Sequence, residues 1–236
     1  MSTDLTAISN NLPDDIRASL AAEIAADIGR IGSTGGKDVI RITNRKTFEL
    51  PNGDSVNELN AVIVDFVYRN KYYLTAYNAK KIESPACFAI SESASGMAPS
   101  PNSPLQQGDM CTTCQQNQFG SSPTGEGKAC KNTVLLAVLP TDATDDTPIW
   151  LIESSPTAIK HFNSYVTKVA RTAKVPINAV TTKIFFDPDS TYASLRFEAE
   201  AINPIYELTR QRRDEANDRL KQEPDVSGFE LPASKR

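Results

Sequence analysis

The chain has 236 residues, 39% hydrophobic and 23% charged, enough for one sizeable core or a core with a small appended module. It has no run of about 18 apolar residues, which argues against a membrane-spanning helix; residues 1–15 are polar and acidic, unlike a secretion signal, so a cytosolic protein is expected. A net charge of −4 excludes a generally cationic nucleic-acid coat but leaves room for a local basic groove.

Charge is segregated along the chain. Residues 1–30 carry Asp4, Asp14, Asp15, Glu23 and Asp27 against Arg17 and Arg30. In residues 31–85 the cations Lys37, Arg41, Arg45, Lys46, Arg69, Lys71, Lys80 and Lys81 slightly outnumber the acids. A mixed, solvated surface would give the same pattern.

Residues 13–30 read as an amphipathic helix, with Pro13, Asp14 and Asp15 in its first turn and Ile16, Leu20, Ile24 and Ile28 at helical spacing. Glycines at 32–36 end it, and GSTGGK there lacks the full phosphate-loop pattern. Residues 38–42 and 46–50 predict paired strands before the Pro51-Asn52-Gly53 turn. A long strand follows over 61–74, where strict alternation places Val62, Val64, Phe66 and Tyr68 on one face and Arg69, Lys71 and Tyr73 on the other. Residues 133–139 and 148–152 predict further strands, the second carrying the only tryptophan, Trp150. A helix capped by Ser154 or Ser155 is expected over 156–173, with Ile159, Phe162, Val166 and Val169 on one face. Strands at 179–187 and 193–201 form a hairpin around DPDST. A last helix runs from 204 to 222, and 223–236 reads as a disordered tail.

These elements predict a mainly β (α+β) fold: an OB-like β-barrel with flanking helices and a zinc-stapled loop insert. The boundaries are an N-terminal helix over 1–30, the barrel over 31–201 with its insert at 87–130, a C-terminal helix over 202–222, and the tail.

All four cysteines, Cys87, Cys111, Cys114 and Cys130, fall in that insert as C-x23-C-x2-C-x15-C. A Cys-x-x-Cys pair suits a zinc knuckle, and the Ser-, Gly-, Pro-, Asn- and Gln-rich segments between the cysteines are too polar to form a core, so a staple is needed. Structural Zn2+ is therefore expected, since its ligation free energy becomes folding free energy. Two disulfides suit a secreted protein better. A thioredoxin-like redox pair would open a helix after a strand, whereas Cys111 and Cys114 lie between polar loops. Simple core burial would not cluster the cysteines so tightly. Four thiolates close a zinc site and leave no position for hydrolytic chemistry.

Binding of single-stranded nucleic acid needs cations along the backbone and aromatic faces for bases. Phe66, Arg69, Lys71, Tyr72 and Tyr73 supply both within eight residues, and Lys128 and Lys131 flank Cys130. Arg41 and Lys46 are further cationic candidates; Phe119 and Trp150 are stacking candidates, although Trp150 fits a core position better. An enzyme is not expected. The sole histidine, His161, adjoins Phe162 on an amphipathic helix, and no Ser–His–Asp order, paired-carboxylate motif, metal-hydrolase pattern or phosphate loop occurs.

CTTC, a polar linker and TVLLAVLPTDATDDTPIWLIESSPTAIKHFNSYV give the order zinc knuckle, apolar strand, acidic turn, strand, helix. This resembles, in layout over residues 87–169, the zinc-containing OB-fold helix-destabilising proteins of T-even bacteriophages. The resemblance implies non-catalytic, sequence-independent binding of single-stranded DNA in phage replication and recombination, in the cytoplasm of a bacterial host. It also implies cooperative or oligomeric binding and contacts with replication or recombination proteins. The chain departs from that family in offering four cysteines rather than three with a histidine, and in ending on Lys235-Arg236 rather than an acidic tail. The alternative is a zinc-stapled protein–protein adaptor for replication or transcription machinery.

Overall fold

The structure, a computed structural model, describes residues 38–75 and 83–231. The helix expected over 13–30, the glycines at 32–36, Lys37, Lys80, Lys81 and the last five residues lie outside the described residues. Among the described residues, nine strands make one mixed sheet. They are β1 (Val39–Ile42), β2 (Phe48–Glu49), β3 (Ser55–Val56), β4 (Glu58–Tyr72), β5 (Cys87–Ser91), β6 (Lys131–Pro140), β7 (Trp150–Glu153), β8 (Val180–Phe186) and β9 (Leu195–Ile202). Their order is β3-β2-β1-β7-β6-β4-β8-β9, with β5 paired to the far half of β4. All described pairings are antiparallel except β1 with β7.

The fold is mainly β, a curled sheet that makes a half-barrel. The curling shows in contacts between strands far apart in the sheet: Phe48 of β2 stacks on Phe186 of β8 with ring centroids 4.4 Å apart. Beside that stack, Lys46 Nζ donates to the backbone carbonyls of Asp187 (3.3 Å) and Ser190 (2.6 Å). Right-handed strand twist accumulates into such curvature, and a bulge sharpens it.

That bulge lies in β4. Ile63 pairs with Val138, but Asp65 pairs with Ala137, so Val64 is an extra residue. It corrects the strict alternation expected over 61–74. Leu59, Ala61 and Ile63 share the inner face with Phe66 and Tyr68, whereas Val64 and Val67 join the outer one. One inserted residue reverses the side-chain parity of everything after it.

Each face has its own core. The inner face is covered by α1 (Ala158–Lys168), which buries Ala158, Phe162 and Tyr165. Phe162 meets Phe66 and Phe197 edge-on at 4.8 and 5.2 Å, and the Tyr165 and Thr182 hydroxyls hydrogen-bond at 2.5 Å. The helix expected over 156–173 starts two residues later and ends as a π-helical turn, Val169–Ala173, with Lys174 left-handed at φ 60°. The outer face packs Val64, Val67, Leu135, Ala137 and Leu139 against Ala216 and Leu220. The single final helix expected over 204–222 is two: α2 (Tyr206–Gln211) and α3 (Arg213–Leu220). The break falls at Arg212, whose guanidinium reaches the Asp145 and Thr147 carbonyls while also gripping Glu215.

Residues 92–130 form the insert, regular only in the 3-10 turn Gln115–Asn117. It laces onto the end of β5: Ser100 N–H donates to Phe88 O (2.8 Å) and Leu105 N–H to Ala86 O (2.7 Å). Residues 223–231 are irregular. Ser100 and Asn102 donate to the Glu223 carboxylate at 2.5 and 2.7 Å, and Ser84 to Asp225 O at 2.9 Å. No helix among the described residues is long and apolar enough to cross a membrane.

Candidate metal centre and nucleic-acid groove

The four cysteines arrive from separate pieces of chain. Cys87 opens β5 opposite Tyr72. The Cys111 N–H donates to Met97 O at 2.9 Å, the Cys114 N–H to Met110 O at 3.0 Å, and the Cys130 N–H to Gln116 O at 2.8 Å. All four line one small cavity of about 10 Å³, with Asn70, Phe88, Gln107 and Asn117 around them. Cys87, Cys111 and Cys130 are buried, Cys114 is half-buried, and all four are free thiols.

Their electrostatics record the crowding. Burial pushes the Cys130 thiol up to about 12, helped by Cys111, Cys87 and Cys114 and opposed by Lys128. Burial raises Cys111 as well, against a hydrogen bond from Asn70 that lowers it. Like charges packed this closely cannot all ionise without a cation among them. The donor set therefore suits a soft divalent ion, for which tetrahedral thiolate sites are the norm. Yet among the described residues no three His, Cys, Asp or Glu side chains are arranged to hold a metal ion. All four cysteines nonetheless line the same cavity, and a bound zinc would hold their sulfurs at about 2.3 Å.

A groove of about 900 Å³ lies against this cavity, and Tyr72 and Gln116 line both. It brings together five of the nine nucleic-acid residues predicted from sequence: Lys71, Tyr72 and Tyr73 from the end of β4, Lys128 from the insert, and Lys131 from the start of β6. Lys131 Nζ sits over the Tyr73 ring, 5.6 Å from its centroid. Lys128 Nζ donates to Asn117 Oδ1 at 3.3 Å. Lys71 meets both carboxylate oxygens of Glu153 at 2.9 Å.

The other four stand elsewhere. Arg69 turns to the outer face, where Nη2 donates to the Leu220 and Gln222 carbonyls at 3.1 and 2.6 Å. Phe66 packs beneath α1. Lys46 bonds the β8–β9 loop, and Arg41 is exposed on β1 and does not line the groove, although its neighbour Ile42 does. Trp150 packs against the inner core, while Phe119 is 85% exposed on the insert.

Glu153 and Glu83 are groove acids with no signal in the sequence, and Glu153 is the one bonded to a predicted site residue. Burial alone would raise its pKa, but the Lys71 ammonium, hydrogen bonds from Lys71 and Thr133, and the Arg69 charge outweigh burial and hold it below the usual value. Its place depends on cross-strand register, Leu135 with Glu153, which no local pattern encodes. Tyr73 is pushed up by burial and then by Glu153. Within the groove Lys71 and Glu153 compensate each other, and Glu83 also lines it, so Lys71, Lys128 and Lys131 outnumber the two lining carboxylates by one. Comparison with family models, with curated proteins and with solved structures finds no match to this chain.

Proposed function

We propose that the groove binds single-stranded DNA without regard to sequence and without catalysis, and that Cys87, Cys111, Cys114 and Cys130 hold one structural zinc ion beside it. The observation that carries this reading is the convergence of Lys71, Tyr72, Tyr73, Lys128 and Lys131 on one open groove. Cations there would track phosphates, and Tyr73 would offer a ring face to a base, displacing Lys131 or using the opposite side. The metal would fix the stretch from Gln116 to Ala129 that lines the groove, because Cys114 and Cys130 bracket it. The curl that lays Phe48 on Phe186 supports an OB-like barrel, a fold suited to such grooves. The layout shared with phage helix-destabilising proteins favours a role in phage replication and recombination.

A labelled poly-dT oligonucleotide titrated by fluorescence anisotropy, with metal content measured, tests this. Binding should be tight at low salt and weaken sharply at high salt. Tyr73→Ala should cost about 1–3 kcal/mol, roughly 5- to 150-fold in affinity. A folded, zinc-loaded protein that ignores the oligonucleotide would end the proposal. The exposed Phe119 on the insert favours the second reading, a zinc-stapled adaptor, which predicts no oligonucleotide binding at any salt.

A further inference from the structure

No Asp or Glu occurs between Glu153 and Asp187, a run that carries Lys160, Lys168, Arg171, Lys174 and Lys183 in a chain of net charge −4. Lys183 pairs with Glu58. The other four are exposed and form no ion pair or side-chain hydrogen bond with another described residue. At 3.6 residues per turn, Lys160, Ser164, Thr167 and Lys168 fall on the side of α1 away from the buried Ala158, Phe162 and Tyr165, and the exposed Arg171 follows in the π-helical turn. The result is a cationic stripe edged by hydroxyls, with Lys174 at its far end.

Helix electrostatics explain only part of it. Lys168 and Arg171 favour the helix C-terminus whatever they bind, but Lys160 lies in the first turn, where the macrodipole disfavours a cation. Ser154, Ser155 and Pro156, which line the groove, lead directly into α1, so the first cation of the stripe, Lys160, follows the groove lining by four residues. Phosphodiester backbones are held by this mixture of Lys, Arg, Ser and Thr side chains.

We infer that the exposed face of α1 is a second backbone-binding surface, along which the strand held in the groove continues. This inference rests on the groove reading and extends its footprint to the whole length of α1. The occupant is the phosphate backbone alone, since the stripe presents no aromatic ring.

The test compares the salt dependence of poly-dT binding by the full chain, by Lys160→Gln/Lys168→Gln/Arg171→Gln, and by Lys128→Gln/Lys131→Gln. For single strands the slope of log K against log salt changes by about 0.7 per phosphate contact, so the helix triple variant should lose about 2 from its slope. The stripe residues are all exposed, and unchanged circular dichroism confirms that the variants fold. A wild-type slope in the triple variant, with a reduced slope in the groove variant, overturns the inference and leaves the groove standing. Loss confined to the triple variant removes the groove and overturns the inference with it, since no strand would continue from the groove onto α1. Absence of binding by the wild-type chain overturns both. Phosphatidylserine vesicles form the control: a triple variant that keeps its poly-dT slope but releases vesicles assigns the stripe to anionic lipid and overturns the inference.

Discussion

Glu153 stands where Lys71 and Thr133 reach one carboxylate, with Oε1 2.9 Å from Lys71 Nζ and 2.7 Å from Thr133 Oγ1. Its pKa in the fold is held below the usual carboxylate value, burial being outweighed by Lys71, Thr133 and Arg69. An acid held down in the folded state stabilises the fold above its unfolded value of about 4.3, and that contribution is lost as pH falls through the lower folded value. Glu153→Gln should therefore flatten the loss of stability below about pH 4.3, read as urea midpoints at a series of pH values. Parallel acid curves for the two proteins would show that the network contributes nothing. Residue identities told unequal amounts in advance. Lys128 and Lys131 were legible because Cys130 between them ties both to a predictable place. Arg69 and Lys71 look equivalent on one strand face, yet one caps carbonyls at and just past the end of α3 and the other lines the groove. What separates them is which element covers each stretch of β4, and that is a tertiary fact.

At the scale of elements, most strands stand within a few residues of their sequence positions because their apolar runs are compact and bounded by turns. The errors have physical causes. The β4 bulge is invisible locally, since Val64 is as good a strand residue as its neighbours; only the partners on β6 reveal that it is extra. The break at Arg212 depends on carbonyls at Asp145 and Thr147, more than sixty positions away. β5 was hidden because its strand is short and opens onto a polar insert. That insert is where the proposed zinc would matter most: the apolar cluster beside it is small, built on Ala89, Met97 and Cys111. Cys114→Ser should abolish stoichiometric zinc binding and expose residues 115–130 to protease, while the far-UV signature of the sheet persists. Equal zinc content in the variant and wild type would remove Cys114 from the ligand set.

For the whole molecule, one sheet serves two cores, with α1 on one face and α3 on the other. The insert belongs to neither core. On the zinc proposal this division would let the groove wall depend on cysteine ligation while the sheet depends on apolar burial, where each fully buried Leu, Ile, Val or Phe contributes about 1.5–3 kcal/mol. Mainly β architecture was legible from the spacing of strands and turns. The strand order was not, because long strands such as β4 pair with three others along their length.

The single parallel pairing among the described strands also sets an order of events. Val39 of β1 lies beside Leu151 of β7, and Asp38 at the start of that strand lies near Arg219 beyond it. During synthesis β1 emerges first and must wait, unpaired on this side, until β7 has been made. Pairings between such distant residues close slowly, because the loop entropy is lost before any contact returns it. Trp150 opens β7 and is the only tryptophan, so its fluorescence reports when that strand docks. On dilution from urea its signal should recover in the slowest phase, after most of the far-UV signal, and aggregation of the waiting intermediate should rise with concentration. Simultaneous recovery of both signals would mean that the β1–β7 seam forms with the rest of the sheet.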